Sequence, residues 1–176
     1  MTKKPSDKRG DSFSIPESDL EQYRNNWRDH VSPFPNFARV NLDELLLLLE
    51  RLEKPERRVL MSMMKRMHTR NMIIISREEF REWLKCDYGW YPEYRHLSTY
   101  LQSLRDKLAI KELCRVTIQT TEGRRKDIIT YCINPYLIFK GKSKLHIRLI
   151  VEWDDDDIVP PKSKQTKRQQ DHTPKG

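Results

Sequence analysis

One stretch decides the fold: residues 94–134 read YRHLSTYLQSLRDKLAIKELCRVTIQTTEGRRKDIITYCIN. In its first half, leucines recur at spacings of four, three and four from Leu97 to Leu108, which is typical of a helix with one buried face. Its second half alternates apolar and polar residues on both sides of Glu122-Gly123, which predicts a β-hairpin that turns at the glycine. The stretch therefore predicts a helix followed directly by a hairpin.

The register of this hairpin follows if its apolar residues share one face. That register makes three apolar pairs: Ile118 with Ile129, Val116 with Tyr131, and Cys114 with Ile133. Cys132 then falls on the other face, which disfavours a Cys114–Cys132 disulfide. The third cysteine is Cys86, and the sequence contains no CxxC or CxxH pair that would suit zinc. The sequence predicts free and mostly buried thiols.

A leucine-rich helix is predicted near the start of the domain, over residues 42–52. Asn41 is a suitable N-cap for it, and Leu45–Leu49 makes it apolar on all sides. A helix of this kind is either buried within the domain or packed against a second subunit. The second alternative makes helix 42–52 the contact of a homodimer.

Three further elements are predicted before residue 94. Pro55 fits the first turn of a second helix, and Met72–Ile75 is an apolar, β-branched run typical of a short strand. Ser76 stands three residues before Glu79, which is the capping-box pattern for the start of a third helix.

The resulting order is helix, helix, short strand, helix, turn, helix and hairpin with a basic tip. This is the order of a winged helix-turn-helix. We expect an α+β, mostly helical fold: a winged helix-turn-helix with a short strand, a β-hairpin wing and flexible tails. The expected divisions are a partly disordered arm over 1–40, a DNA-binding domain over 41–153, and a disordered tail over 154–176.

Charge points to a polyanionic partner. The chain carries 34 Lys and Arg against 26 Asp and Glu, a formal net charge of +8. Residues 95–148 hold 12 of the basic and only 4 of the acidic residues, which favours a phosphate-facing surface and double-stranded DNA as partner. The longest apolar run, Leu45–Leu49, is far shorter than the roughly 20 residues that span a bilayer. No membrane partner is expected, and the expected location is the cytoplasm, in association with the nucleoid or a plasmid.

Candidate DNA contacts follow from this expected fold. A helix in the major groove reads base edges with the exposed side chains near its N-terminus. Those side chains are Arg95, Ser98, Thr99 and Gln102, and Tyr94 beside them is expected to stack or to contact a phosphate. The hairpin tip would lie along the backbone or in a minor groove through Arg124, Arg125 and Lys126. Candidate phosphate contacts also come from Lys140, Lys142 and Lys144.

Enzymatic motifs are absent from the sequence. The five histidines form no HxH or HExxH pattern, and neither a phosphate-binding G-x-x-x-x-G-K-[ST] loop nor a G-x-S-x-G elbow occurs. The consecutive acids Asp154–Asp157 do not preorganise a metal shell. We expect a protein without enzymatic activity that needs no cofactor or metal.

Residues 131–141 read YCINPYLIFKG. Together with the predicted winged helix, they resemble the RepL-type plasmid replication proteins, in which the hairpin runs into an Asn-Pro element, an aromatic residue and a basic-Gly pair. The matching residues here are Asn134, Pro135, Phe139, Lys140 and Gly141. The resemblance covers about 41–153, and the aromatic-rich turn Cys86–Tyr91 departs from it.

The resemblance implies a plasmid or phage replication initiator that binds origin DNA and recruits host replication proteins. Two alternatives share the predicted fold. One is a winged-helix transcriptional regulator such as a repressor, and the other is a protein-interaction winged helix that does not bind DNA.

Overall fold

The computed structural model of the protein describes residues 12–27, 38–141 and 143–158. It confirms an α+β fold in which helix exceeds strand. The described elements are β1 (Ser12–Pro16), α1 (Leu20–Trp27), β2 (Ala38–Val40), α2 (Leu42–Arg51), α3 (Lys54–Arg66), β3 (Met72–Ser76), α4 (Arg77–Tyr88), α5 (Tyr94–Asp106), β4 (Ile110–Gln119), β5 (Arg125–Ile133), β6 (Ile138–Lys140) and α6 (Ser143–Asp154).

Local signals in the sequence set the helix starts. The Asn41 side chain accepts a hydrogen bond from the Glu44 amide at 3.5 Å and caps α2. Ser76 and Glu79 form the capping box of α4, with the Ser76 amide donating to the Glu79 carboxylate at 2.8 Å. Pro55 lies in the first turn of α3, where its missing N–H costs nothing.

Two sheets organise the described residues. The larger sheet has the strand order β1-β4-β5-β3, in which β1 runs parallel to β4 and the other pairs are antiparallel. The smaller sheet pairs β2 with β6. The sequence predicted an arm over residues 1–40, and its described part supplies β1, α1 and β2. The Tyr23 hydroxyl of α1 bonds to the Thr130 hydroxyl of β5 at 2.9 Å.

Helices cover both faces of the larger sheet. On one face, α3, α4 and α5 pack against alternate residues such as Ile75 and Ile129. On the other face, α1 and α6 pack against the intervening residues, such as Val116 and Ile128. The side chains of β5 are consequently buried without a break from Ile128 to Ile133.

The predicted register of the hairpin is wrong. Ile118 pairs with Lys126 rather than Ile129, and Cys114 pairs with Thr130. The turn over residues 120–124 sets this register by bringing Gln119 opposite Arg125, and the irregularity between Glu112 and Cys114 shifts it by one further residue. Because both sheet faces are buried, the pattern of β5 from Ile128 to Ile133 does not indicate a register. The prediction that only one face is apolar fails for the same reason.

The corrected register also changes the sheet faces on which the cysteines lie. Cys114 and Cys132 lie on the same sheet face, in the core beneath α6, and no disulfide joins them. Burial raises the pKa of the Cys132 thiol. Cys86 is exposed on α4 and forms no disulfide within the described part of the chain.

The structure corrects the position of Leu108 and assigns the two segments that follow the hairpin. The leucine spacing predicts Leu108 on the buried stripe of α5, but Leu108 follows the end of the helix with φ +55° and is 60% exposed. Within the Asn-Pro to Lys-Gly element, Ile138–Lys140 is β6, which pairs with β2. The apolar segment 145–153 is helical and belongs to α6. Among the described residues, no helix is long and apolar enough to cross a membrane.

Asp87 of α4 is hydrogen-bonded to side chains of α3, and these contacts predict a contribution to stability that depends on pH. Arg66 donates to both Asp87 oxygens at 2.5 and 2.9 Å, and Ser62 adds a third bond at 2.7 Å. The Arg66 hydrogen bonds hold the pKa of Asp87 at about 2, below its ordinary 3.8. Because the folded value is the lower one, the stabilisation is complete well above pH 4 and disappears as the pH falls through about 2.

We expect Asp87→Asn to lower the free energy of unfolding by about 2 kcal/mol at pH 7. Urea unfolding of both proteins from pH 7 to pH 3 measures the effect. The difference in the free energy of unfolding between the two proteins should become smaller below about pH 4, because the wild-type Asp87 carboxylate then begins to be protonated in the unfolded state and its stabilising contribution falls. A difference that stays constant down to pH 3 would contradict this role of the ionised carboxylate.

Candidate nucleic-acid interface

Helix α5 exposes one continuous face. Leu97, Leu101 and Leu104 are buried beneath it. The positions opposite these leucines carry Arg95 and Thr99, both exposed in the first half of the helix. The structure therefore places these two predicted contacts at the centre of the outward face, with the exposed Tyr94 and the half-buried Ser98 at its edge.

Hydrogen bonds already occupy part of this face. The Ser98 and Thr99 hydroxyls donate to the carbonyls of Tyr94 and Arg95, at 2.9 and 3.1 Å. Gln102 donates to Asp106 at 2.8 Å and accepts a bond from Arg105. The amide of Gln102 is thus engaged within the helix, and Asp106 adds a negative charge at the far end of the exposed face.

The far end of α5 is held by polar contacts from distant parts of the chain. Lys107 follows the helix and pairs with the buried carboxylate of Glu56 on α3, at 2.8 Å. The Lys107 and Ser103 hydrogen bonds outweigh the effect of burial and lower the pKa of Glu56. Asn134 donates its side-chain amide to the Leu108 carbonyl at 2.8 Å. These contacts fix the helix relative to both α3 and the hairpin.

The hairpin tip is a tight turn over residues 120–124. Gly123 has φ +76°, which favours glycine, and its amide donates to the Thr120 carbonyl at 2.9 Å. The Arg124 side chain is 83% exposed and lies 3.7 Å from the Glu122 carboxylate. The tip therefore presents an exposed cation together with an acid rather than a purely basic loop.

The three predicted tip residues do not share one surface. Arg125 is exposed and, by strand alternation, lies on the α5 side of the sheet with Ile129. Lys126 is half-buried and lies on the opposite side with Ile128. The structure brings Arg125, but not Lys126, to the face of the sheet that bears α5.

Half of the 12 cations in residues 95–148 pair with acids within the protein. The acid partners of its cations are Glu112 for Arg105 and Arg115, Glu56 for Lys107, Asp156 for Lys111, Glu122 for Arg124, and Glu152 for Arg148. Arg95, Arg125 and Lys126 have no acidic partner within the described part of the chain. On α5 and the hairpin, these three are therefore the cations left for an external anion.

The predicted second basic cluster lies elsewhere. Lys140 is half-buried in β6, and its ammonium group donates to the Met67 carbonyl at 3.1 Å. Lys144 is exposed at the start of α6, whose buried residues pack on the sheet face opposite α5. Lys142 lies outside the described residues. The structure does not bring Lys140 or Lys144 together with the exposed face of α5.

The residues that carry the family resemblance are structural in this fold. The Asn134 side chain accepts the Tyr136 amide at 2.9 Å, and its backbone amide donates to Ala109 at 3.0 Å. Phe139 stacks on His146 of α6, with ring centroids 4.4 Å apart. A Cβ on Gly141 would lie 2.8 Å from the Phe139 ring, so the position requires glycine. The Asn-Pro to Lys-Gly element thus joins β5, β6 and α6.

Sequence reasoning missed a cationic residue that stacks on the aromatic turn before α5. Arg81 of α4 lies between two aromatic rings, 3.8 Å from the Tyr91 centroid and 4.2 Å from the Tyr94 centroid. The aromatic-rich turn was visible in the sequence, but its cationic partner was not. Because Tyr94 belongs to α5, this cluster adjoins the candidate interface.

The predicted dimer helix is only partly buried. Leu45 is enclosed in α2, while Leu42, Leu46 and Leu47 are 61%, 48% and 52% exposed.

Residues Asp154–Asp157 make contacts of another kind: the Tyr136 hydroxyl donates to Asp154 at 2.6 Å, and Lys111 pairs with Asp156. Among the described residues, no group of three or more His, Cys, Asp or Glu is placed to hold a metal ion.

Comparison with known proteins does not identify a family. No protein-family model matches the chain, and a search of the curated proteins gives no match either.

Proposed function

We propose that this protein binds double-stranded DNA through a winged helix-turn-helix in which α5 enters the major groove and the β4–β5 tip follows the backbone. The observation that carries the proposal is Arg95 at the centre of the exposed face of α5, where no acid of the described residues pairs with it. An arginine at this position can pair with a guanine edge through two parallel hydrogen bonds.

The connectivity supports this fold assignment. The helix pair α4–α5 is inserted between β3 and β4, and the antiparallel part of the sheet has the order β4-β5-β3. In this arrangement the hairpin stands beside α5, as a wing stands beside a recognition helix. The turn between α4 and α5 begins at Gly89, which ends α4 in the left-handed conformation.

The proposal extends to replication initiation through the resemblance of residues 131–141 to RepL-type proteins. A repressor would use the same DNA contacts, so binding does not separate the two functions. The test is replication in trans: fragments of the DNA molecule that carries the gene are placed on a vector that cannot replicate alone, and the protein is supplied separately. An initiator maintains the vector through the fragment that it binds, whereas a repressor binds that fragment without maintaining the vector.

The hairpin tip gives a second prediction. We expect Arg124→Ser with Arg125→Ser to weaken binding to preferred and unrelated duplexes by similar factors, because phosphate contacts carry no sequence information. The slope of log affinity against log salt should fall by up to about 1.8, or about 0.9 for each phosphate that the variant no longer neutralises. Titration of the protein into labelled duplexes at several salt concentrations measures both quantities.

Lys126→Ser is the matched control at the same tip. Its side chain lies on the other side of the sheet, so this variant should keep the wild-type salt slope. A double variant with the wild-type affinities and salt slope would contradict the contact between the tip and the DNA backbone, whereas a wild type that binds no duplex would favour a winged helix that contacts protein instead of DNA.

A further inference from the structure

Arg81 is held more rigidly than an ordinary surface arginine. Its Nε donates to the Pro92 carbonyl at 2.6 Å, and its guanidinium lies over the rings of Tyr91 and Tyr94. Stacking of this kind fixes the plane of the guanidinium and removes much of the side-chain entropy that binding would otherwise cost.

The outer nitrogens of Arg81 are left for an external ligand. Within the described residues, neither Nη atom has an acceptor, and neither is buried. Glu82 follows Arg81 in the sequence, but no ion pair joins the two side chains within the described residues. The fork of N–H groups therefore points outward, in the geometry that suits two oxygens of a phosphate.

Neighbouring residues add positive charge. Arg77 and Lys85 lie one helical turn before and after Arg81, so the three cations follow one side of α4. The Lys85 ammonium group is 5.6 Å from the Tyr91 centroid. This row borders the first turn of α5 through Tyr94.

We propose that Arg81, fixed by Tyr91 and Tyr94, binds a backbone phosphodiester of DNA and thereby sets the position of α5 in the major groove. The inference rests on the proposed DNA binding. A helix in the groove brings the turn that precedes it against the bordering strand, where a phosphate contact fixes orientation without reading sequence.

The test compares Arg81→Gln with Arg148→Gln. Arg148 is an exposed arginine on α6, which covers the opposite sheet face, so it matches Arg81 in chemistry but not in location. Affinity is measured over a salt series for the preferred duplex and for an unrelated one. Arg81→Gln should weaken binding to both by about tenfold and reduce the salt slope by about 0.9. Arg148→Gln should match wild type.

A second variant separates the charge from its positioning. Tyr91→Leu keeps the Arg81 charge but removes one ring, so it should weaken binding less than Arg81→Gln and leave the salt slope unchanged. Thermal unfolding of each variant verifies that it is folded. If wild type binds DNA and both the affinity and the slope of Arg81→Gln are unchanged, the assignment of Arg81 is overturned while DNA binding stands. If wild type binds no duplex, the proposed function fails, and the assignment of Arg81 fails with it.

Discussion

Arg95→Ala should weaken binding to the preferred duplex by about 10- to 100-fold, as expected for the loss of one bidentate base contact. Its affinity for an unrelated duplex should fall only about threefold, since non-specific binding depends on summed phosphate contacts. The variant therefore loses affinity for the preferred duplex and also part of its preference for that duplex over the unrelated one. Competition between the two labelled duplexes measures the ratio directly.

Arg95 should have the largest effect on α5 because the neighbouring polar side chains are already hydrogen-bonded within the helix. Ser98 and Thr99 donate their hydroxyl hydrogens to backbone carbonyls, and Gln102 bridges Arg105 and Asp106. Reading a base with Gln102 would first require breaking these bonds, so Gln102→Ala should have a smaller effect than Arg95→Ala. Equal loss on both duplexes for Arg95→Ala would contradict base reading and leave Arg95 as a phosphate contact.

Asn71→Ala should lower the free energy of unfolding by about 3–5 kcal/mol, through groups left without partners in the core. Asn71 is fully buried, and its amide donates to the carbonyls of Ile133 and Ile138 at 3.1 and 2.6 Å. Its side-chain oxygen accepts the Lys140 amide at 3.0 Å. Its φ of +58° adds strain for alanine, because asparagine tolerates the left-handed region better.

Asn41→Ala is the matched control for this substitution. Asn41 is exposed and makes a single capping bond, so its loss should cost about 1 kcal/mol. Thermal unfolding should show a melting temperature about 10–15 °C lower for Asn71→Ala and only a few degrees lower for Asn41→Ala. Equal shifts would contradict the role of Asn71 in joining β5 to β6.

Elements with local signals could be predicted from the sequence, whereas pairings between distant segments could not. The caps at Asn41 and Ser76 depend on neighbours three residues away, and both helices begin as expected. The hairpin was recognised, but its register was not, because the unbroken burial from Ile128 to Ile133 removes the alternation that normally indicates a face.

The candidate site shows the same limit. The exposed face of α5 follows from its leucine spacing, so Arg95 and Thr99 could be placed in advance. Which basic residues form ion pairs within the protein could not be predicted, because the partners are distant in sequence. Lys107, for example, pairs with Glu56, which lies 51 positions away. Arg81 escaped prediction because its two aromatic partners lie across a turn, and no spacing rule connects a cation on α4 with rings at 91 and 94.

Binding of the complete protein to fragments of the DNA molecule that carries its gene, across about 50 to 300 mM salt, decides whether α5 and the hairpin form a DNA-reading surface. We predict that one fragment binds at least about 10³-fold more tightly than the others and stays bound at physiological salt. Equal binding to all fragments that vanishes as salt rises would reduce the surface to a general polyanion contact and contradict sequence-specific recognition. No binding to any fragment would contradict DNA binding itself.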